Sequence, residues 1–337
     1  MSAIVKPENR YHLMVTVWLL VATAMSSPVS AEQPDTAEGW LMKLGPALNM
    51  TSYRGVFVYA RGDRISTMQV AHRYHNGQVE ERLVQQDGEN GEIVRKGMKV
   101  FCVLPDHGRI QLDQIIPSGP FAEAFSSQLV PISRWYIPKT LEDDRVAGYP
   151  VVVVALNARD QHRYSYRLWL EKKTGLLVKS HVRSEDEILE RFHFTSLEIT
   201  DALRDSEFEI QLQGPAIQRI LQSPATDKAK QRMDGWRLKW RPEGFIPAAA
   251  PGAGQGRVVA FSDGLASFSV FVESAVSVDM PTGASRIGAT TAYMRKVEVG
   301  DRSFLVTVVG EIPPSTAMRV AESVDIEDAF VVGRHKP

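Results

Sequence analysis

The chain has a single cysteine, Cys102, among its 337 residues. One thiol excludes an internal disulfide, so stability must come from burial. Cys102 lies in KVFCVLP (Lys99–Pro105), a run that reads as a strand. There it is expected to serve as a small buried hydrophobe rather than as a nucleophile. An excess of one charge sign is also missing. Thirty-nine Lys and Arg against 40 Asp and Glu leave a formal net charge of −1. Without a basic stripe, nucleic acid is not an expected partner.

Enzyme signatures are equally scarce. The chain has no G-x-S-x-G elbow and no H-E-x-x-H pair. His72 and His75 stand as H-R-Y-H, a spacing that puts them on opposite faces of a strand. Gly252, Gly254 and Gly256 lack the preceding strand and following helix that a nucleotide loop needs. Glu80-Glu81 and Asp143-Asp144 are adjacent acids, not a pair facing each other across a substrate. No cofactor and no metal are implied. A binding protein is expected, not an enzyme.

Only one long apolar run occurs, Leu13–Met25 (LMVTVWLLVATAM). Lys6 and Arg10 precede it, and SSPVSA follows, with Val29 and Ala31 at the spacing of a signal-peptidase site. The run is short for a bilayer, which needs ~20 residues. Residues 1–31 therefore read as an export signal cleaved after Ala31, and the product is expected outside the cytoplasm. The remaining 306 residues (337 minus 31) suit two domains of ~100–200 residues each.

What the chain does have is period-two patterning. After a short amphipathic helix over Trp40–Leu48, strands are expected at Tyr53–Arg61, Arg64–Tyr74, Gln78–Gln86, Glu92–Arg95 and Lys99–Leu104. Asn76-Gly77 marks a hairpin of the primed type. Strands resume at Gly148–Ala158, Tyr164–Glu171, Leu176–Arg183 and Ile188–Ile199. Roughly ten strands in sequence must curl or close to bury one face. Gln211–Asp234 reads as a linker with a helical turn at Ile217–Leu221. Past Gly235, hairpins turn at Ser262-Asp263-Gly264 and at Gly300-Asp301, and a helix starts at Pro313-Pro314-Ser315 with Ala317, Val320, Ala321 and Val324 as its stripe. Trp236, Trp240 and Phe245 are expected in the core of this unit, with an aromatic anchor for a partner as the alternative. The fold class is α+β, mainly antiparallel β, with domains at 32–210 and 235–333 joined by 211–234.

Between Ile115 and Pro138 the alternation stops. IIPSGPFAEAFSSQLVPISRWYIP carries four prolines and a weak helical pattern from Phe121 to Leu129. A long apolar connection is unusual in a compact domain and is often functional. Ile115, Ile116, Phe121, Phe125, Leu129 and Trp135 are the candidate lipid-facing residues, with lid packing as the plainer alternative.

Four stretches carry a family resemblance: ERLVQQDGENGEIVRKG (Glu81–Gly97), RYSYRLWLEKKTGLLVKSHV (Arg163–Val182), FSDGLASFSVFVE (Phe261–Glu273) and VVGEIPPSTAMRVAESV (Val308–Val324). On these the chain resembles the RseB/MucB family of periplasmic regulators of envelope-stress sigma factors. The resemblance implies a large domain like the LolA and LolB carriers, an unclosed antiparallel barrel with a helical lid, beside a smaller antiparallel sheet with one helix. It implies a periplasmic binding protein that holds the periplasmic part of a membrane anti-sigma factor of the MucA/RseA kind. In that family the partner is shielded from a site-1 protease, and lipid or lipopolysaccharide fragments loosen the grip. A lipid or lipoprotein carrier is the alternative. The sequence fits a monomer or a homo-oligomer equally.

Overall fold

The computed structural model describes residues 36–88, 90–104, 108–113, 132–212, 219–221, 235–248, 258–274 and 282–326. Helix α1 spans Ala37–Met50. The Thr36 hydroxyl caps it by accepting from the Gly39 amide at 3.1 Å. Trp40, Leu44, Ala47 and Leu48 recur at helical spacing and are buried.

Six hairpin-linked strands follow: β1 (Tyr53–Arg61), β2 (Arg64–His75), β3 (Gln78–Gln85), β4 (Glu92–Lys96), β5 (Lys99–Leu104) and β6 (Gly108–Asp113). Asn76 and Gly77 have φ of 50° and 76°, the positive angles their turn requires. After α2 (Ile132–Trp135) come β7 (Tyr136–Thr140), β8 (Asp144–Val146), β9 (Tyr149–Ala158), β10 (Ser165–Glu171), β11 (Leu177–Arg183) and β12 (Ile188–Ile199). A short 3-10 turn, Asp205–Phe208, buries Phe208. Strand β13 (Arg219–Leu221) closes the series. The order β13-β6-β5-β4-β3-β2-β1-β12-β11-β10-β9-β7, with β8 on β9, makes one 13-stranded sheet whose two ends do not pair. It is an unclosed, almost wholly antiparallel sheet.

Three features depart from the sequence reading. Arg219–Leu221 is a strand parallel to β6, not part of a helical turn. Gly108–Asp113 is a strand whose Gly and Asp ends masked the alternation. Tyr136–Thr140 is a strand inside the segment read as a connection, and Pro138 is tolerated there because β7 is an edge. Residues 114–131, including the expected helix over Phe121–Leu129, lie outside the described residues.

The inner face of the sheet buries Val152, Val154, Leu156, Tyr166, Leu168, Leu170, Val178, Val182, Phe192 and Phe194 against Trp40 and Leu44 of α1. His72 is fully buried within it. Its Nδ1 is 2.9 Å from a Glu81 carboxylate oxygen, its Nε2 is 3.3 Å from the Asn49 carbonyl, and its ring stacks on Tyr53. That contact ties the end of α1 to β2. Cys102 is half-buried on β5, where burial pushes its thiol pKa up, away from nucleophilic use.

On the outer face, His181 is surrounded by cations. Burial first, and then Lys179, Arg191, Arg167 and Arg183, push it down to about 4. An unfolded histidine titrates near ~6.5. Between these values the unfolded chain binds a proton that the native chain does not. Stability should therefore fall as pH drops through that window. Urea midpoints measured against pH should show a shallower fall for His181→Gln than for the parent chain.

The second sheet comprises β14 (Trp236–Leu238), β15 (Ile246–Ala248), β16 (Val258–Ser262), β17 (Ser267–Ser274), β18 (Gly283–Ile287), β19 (Thr290–Val299) and β20 (Arg302–Gly310), followed by helix α3 (Pro314–Glu322) and β21 (Val324–Ile326). Six strands run β15-β16-β17-β20-β19-β18, all antiparallel, and β14 pairs with β21. Pro314 opens α3, and Thr316, Ala317, Val320 and Ala321 are its buried stripe. Val324, expected on that stripe, falls on β21 instead. Trp236 and Phe245 are core residues and Trp240 packs against them, as expected.

Candidate functional site

The two sheets meet through a buried junction, built from turns of the small sheet and from strands of the large one. Arg163, just before β10, is its centre, and its side chain has no exposed surface. Nη1 donates to Asp263 Oδ2 at 2.7 Å. Nη2 donates to Asp160 Oδ2 at 3.0 Å and to the Glu243 carbonyl at 2.6 Å, and Nε donates to Asp160 Oδ1 at 3.1 Å. The guanidinium carbon lies 5.1 Å from the Phe245 ring centre, 5.2 Å from Trp135 and 5.8 Å from Tyr136. A planar cation in an aromatic box with carboxylates at its rim is a site suited to arginine and not to lysine. Burial works against its charge, and Asp160 and Asp263 outweigh burial, so its pKa stands above the usual value.

Asp263 is equally committed. It sits in the Ser262-Asp263-Gly264 turn, which is open to it because Gly264 adopts φ +97°. Oδ1 accepts from the amides of Leu265 and Ala266 at 2.9 and 2.8 Å. Oδ2 accepts from Arg163 and, at 2.9 Å, from the Tyr136 hydroxyl. Burial, with Tyr166 and Asp263 nearby, holds the Tyr136 phenol well above its ordinary pKa.

A second contact lies farther along the junction. Glu190 on β12 is buried; it accepts from the Tyr59 hydroxyl and from the Ala289 amide at 2.9 Å. Gly288 precedes that amide with φ +60°, and a Cβ there would come within 2.3 Å of Arg61 Cγ and 2.7 Å of Glu190 Oε1. Only glycine lets the turn come this close. Outside this contact a groove of about 390 Å³ runs between three turns, lined by Asp63, Arg64, Glu187, Ile188, Arg286 and Ile287 among others. Arg286 donates to Glu187 across it at 2.7 Å. The Tyr164 hydroxyl reaches the Ile312 carbonyl at 3.3 Å, and His162 meets Thr316 and the Trp240 ring. Burial is the main cause that lowers His162.

Of the six candidate lipid-facing residues, Trp135 alone lies within the described residues. It is half-buried at the end of α2, against Arg163 and under Gly244, where φ is +89° and a Cβ would lie 2.3 Å from Trp135 Cε2. Ile115, Ile116, Phe121, Phe125 and Leu129 fall outside them. Arg163, Asp263, Tyr136 and Glu190 were not singled out from sequence. The nearest signal was that Arg163 and Asp263 sit in two of the stretches that carry the family resemblance. Among the described residues, no group of three or more potential ligands could hold a metal.

This two-sheet arrangement has known counterparts. Residues 36–212 match the family described as MucB/RseB N-terminal domain, and residues 230–325 match MucB/RseB C-terminal domain. The sigma factor AlgU regulatory protein MucB of Pseudomonas aeruginosa is 34% identical over 341 residues, covering 94% of this chain and 99% of the relative. The sigma-E factor regulatory protein RseB of Haemophilus influenzae is 26% identical over 318 residues, covering 91% and 96%. The solved Pseudomonas aeruginosa MucA/MucB complex matches 86% of this chain and 99% of the solved chain, with 32% identity and a TM-score of 0.67. The chain belongs to the MucB/RseB family of sigma-factor regulatory proteins, which act by binding rather than by catalysis.

Proposed function

We propose that this protein is exported to the periplasm and binds the periplasmic part of a membrane-embedded anti-sigma factor. Bound there, it masks the partner from site-1 proteolysis. A lipid or lipopolysaccharide fragment, seated under the Ile115–Pro138 segment, loosens the complex. The observation that carries the reading is the likeness, over 99% of that chain, to a protein solved in complex with MucA. The residue 1–31 leader supports export. The buried junction supports a regulator over a carrier, because a carrier has no need of a second sheet locked to the first.

The energies allow the switch. A twelve-carbon acyl chain offers at most ~10 kcal/mol gross at ~0.8 kcal/mol per CH₂. A nanomolar protein complex is worth ~12 kcal/mol. A coupling of ~1–3 kcal/mol between the two occupants would weaken the partner ~5–150-fold. Trp135 offers a route for it, since it ends the apolar segment and packs on the Arg163 cluster.

The test is a cleavage assay with a site-1 protease of the DegS type and the periplasmic domain of the anti-sigma factor. The protein should slow cleavage, and a phosphorylated, acylated glycolipid should restore it. Phe121→Ser with Phe125→Ser should keep the masking and lose the lipid response. Absence of masking would overturn the reading. Lipid transfer between vesicles, with no partner bound, would favour the carrier.

A further inference from the structure

Strands β10, β11 and β12 present an unusual outer face. In register across them stand Arg167, His181 and Arg191, and beside that row Trp169, Lys179 and His193. Arg183 adds a fourth permanent cation, opposite Ser165. Among the described residues, none of Arg167, Lys179, Arg183 and Arg191 has a carboxylate within ion-pair distance. Other arginines, among them Arg54, Arg73, Arg82, Arg163, Arg237 and Arg286, are each paired with a carboxylate; what sets these four cations apart is their shared place on three adjoining strands. Arg183 Nε is moreover buried without a hydrogen-bond partner. Two acids beside the patch are already engaged. Glu171 accepts from the Lys173 and Thr174 amides, and Asp144 accepts from Trp169 Nε1 and the Arg145 amide. Lys179 lies 4.2 Å over the Trp169 ring, which fixes its ammonium on this face.

A chain of formal charge −1 has thus gathered four unpaired cations on three neighbouring strands. Burial is the main cause of the depressed His181 titration, and Lys179, Arg191, Arg167 and Arg183 push it further in the same direction. The same cross-strand row continues through Ala60 to Ile65, which is 67% exposed.

We propose that this face docks on an anionic phospholipid bilayer, with Arg167, Lys179, Arg183 and Arg191 meeting lipid phosphates and Ile65 entering the interface. The strands decide against a peptide partner. β10, β11 and β12 are each paired on both sides, so they offer no free edge to an extended chain, and the cations stand along a sheet face rather than around a groove. A bilayer surface needs neither edge nor groove. It needs cations within a Debye length and shallow apolar anchors. The inference stands apart from the masking function.

The test is co-sedimentation with vesicles, using protein purified from the periplasm of expressing cells. Vesicles containing phosphatidylglycerol should bind the protein at low salt, and vesicles of phosphatidylcholine alone should not. Each lost charge is worth roughly fivefold at an anionic surface, so R167Q/K179Q/R191Q should bind roughly 100-fold more weakly. R167K/R191K should bind like the parent. Unchanged near-ultraviolet circular dichroism and urea midpoint identify variants that have kept the fold. A control with the same number of exposed cations removed elsewhere, K96Q/K99Q/R302Q, should bind within a fewfold of the parent. Equal loss in the control would overturn the site. So would failure of the parent to bind anionic vesicles, or capture by polyglutamate in place of vesicles, which would assign the face to an acidic polypeptide.

Discussion

Arg163→Ala is expected to destabilise the protein by about 3–5 kcal/mol, the usual range for breaking a fully buried ion pair from one side. The size follows from what is left behind. Asp263 Oδ2 would keep only the Tyr136 hydroxyl, Asp160 would lose two donors, and the Glu243 carbonyl would lose its partner. The space between Trp135, Tyr136 and Phe245 would also empty. Urea unfolding followed by tryptophan fluorescence checks it. Arg163→Lys should recover little of the loss, because one ammonium cannot serve Asp160, Asp263 and the Glu243 carbonyl with the fork of a guanidinium. Asp263→Asn should fall between. Its side-chain oxygen can still accept from Leu265 and Ala266, and the charge facing Arg163 is gone. A loss under about 1 kcal/mol for Arg163→Ala would mean that the aromatic box, and not the ion pair, holds this end of the junction.

The hairpin framework was legible because its signals are local. Asn76-Gly77 turned as its chemistry demands, and β1, β12 and the Ser262-Asp263-Gly264 hairpin fell where alternation and turn residues put them. Strand β13 was not legible, because a three-residue strand held by a partner more than a hundred residues away leaves no periodic trace. The junction was hidden for a different reason. Arg163 in RYSYRLW looks like the solvent-facing member of an alternating strand, and Glu190 in ILERF is a lone charge on the face of Phe192, yet each is buried by a turn from the other sheet. Periodicity assigns a residue to a face. It does not reveal that a second domain covers that face. Trp169 shows the converse, since it shares the outer face with Arg167 and is buried there by Lys179 and Asp144.

Glu190→Ala should cost about 3 kcal/mol, since it leaves the buried Ala289 amide and the Tyr59 hydroxyl without an acceptor. Glu190→Gln should cost less, because its amide oxygen can still take the Ala289 N–H. The two contacts share a design. At each, a carboxylate grips backbone of the small sheet or receives a cation from the large one, and beside each an apolar residue of the small sheet enters the first core. Leu265 follows Asp263, and Ala289 is itself the donor to Glu190. Removing one clamp leaves the other to hold the sheets in register. Arg163→Ala combined with Glu190→Ala removes both, so Leu265 and Ala289 lose what positions them. The double variant should therefore unfold in two steps, where each single variant unfolds in one. Trp236 lies in the small sheet's core with Trp240 packed against it, and Trp40 and Trp169 lie in the large one's, so fluorescence of single-tryptophan versions can follow the sheets separately. Coincident transitions in the double variant would show that the surrounding contacts, Tyr164 to Ile312 and His162 to Thr316 among them, suffice to couple the sheets.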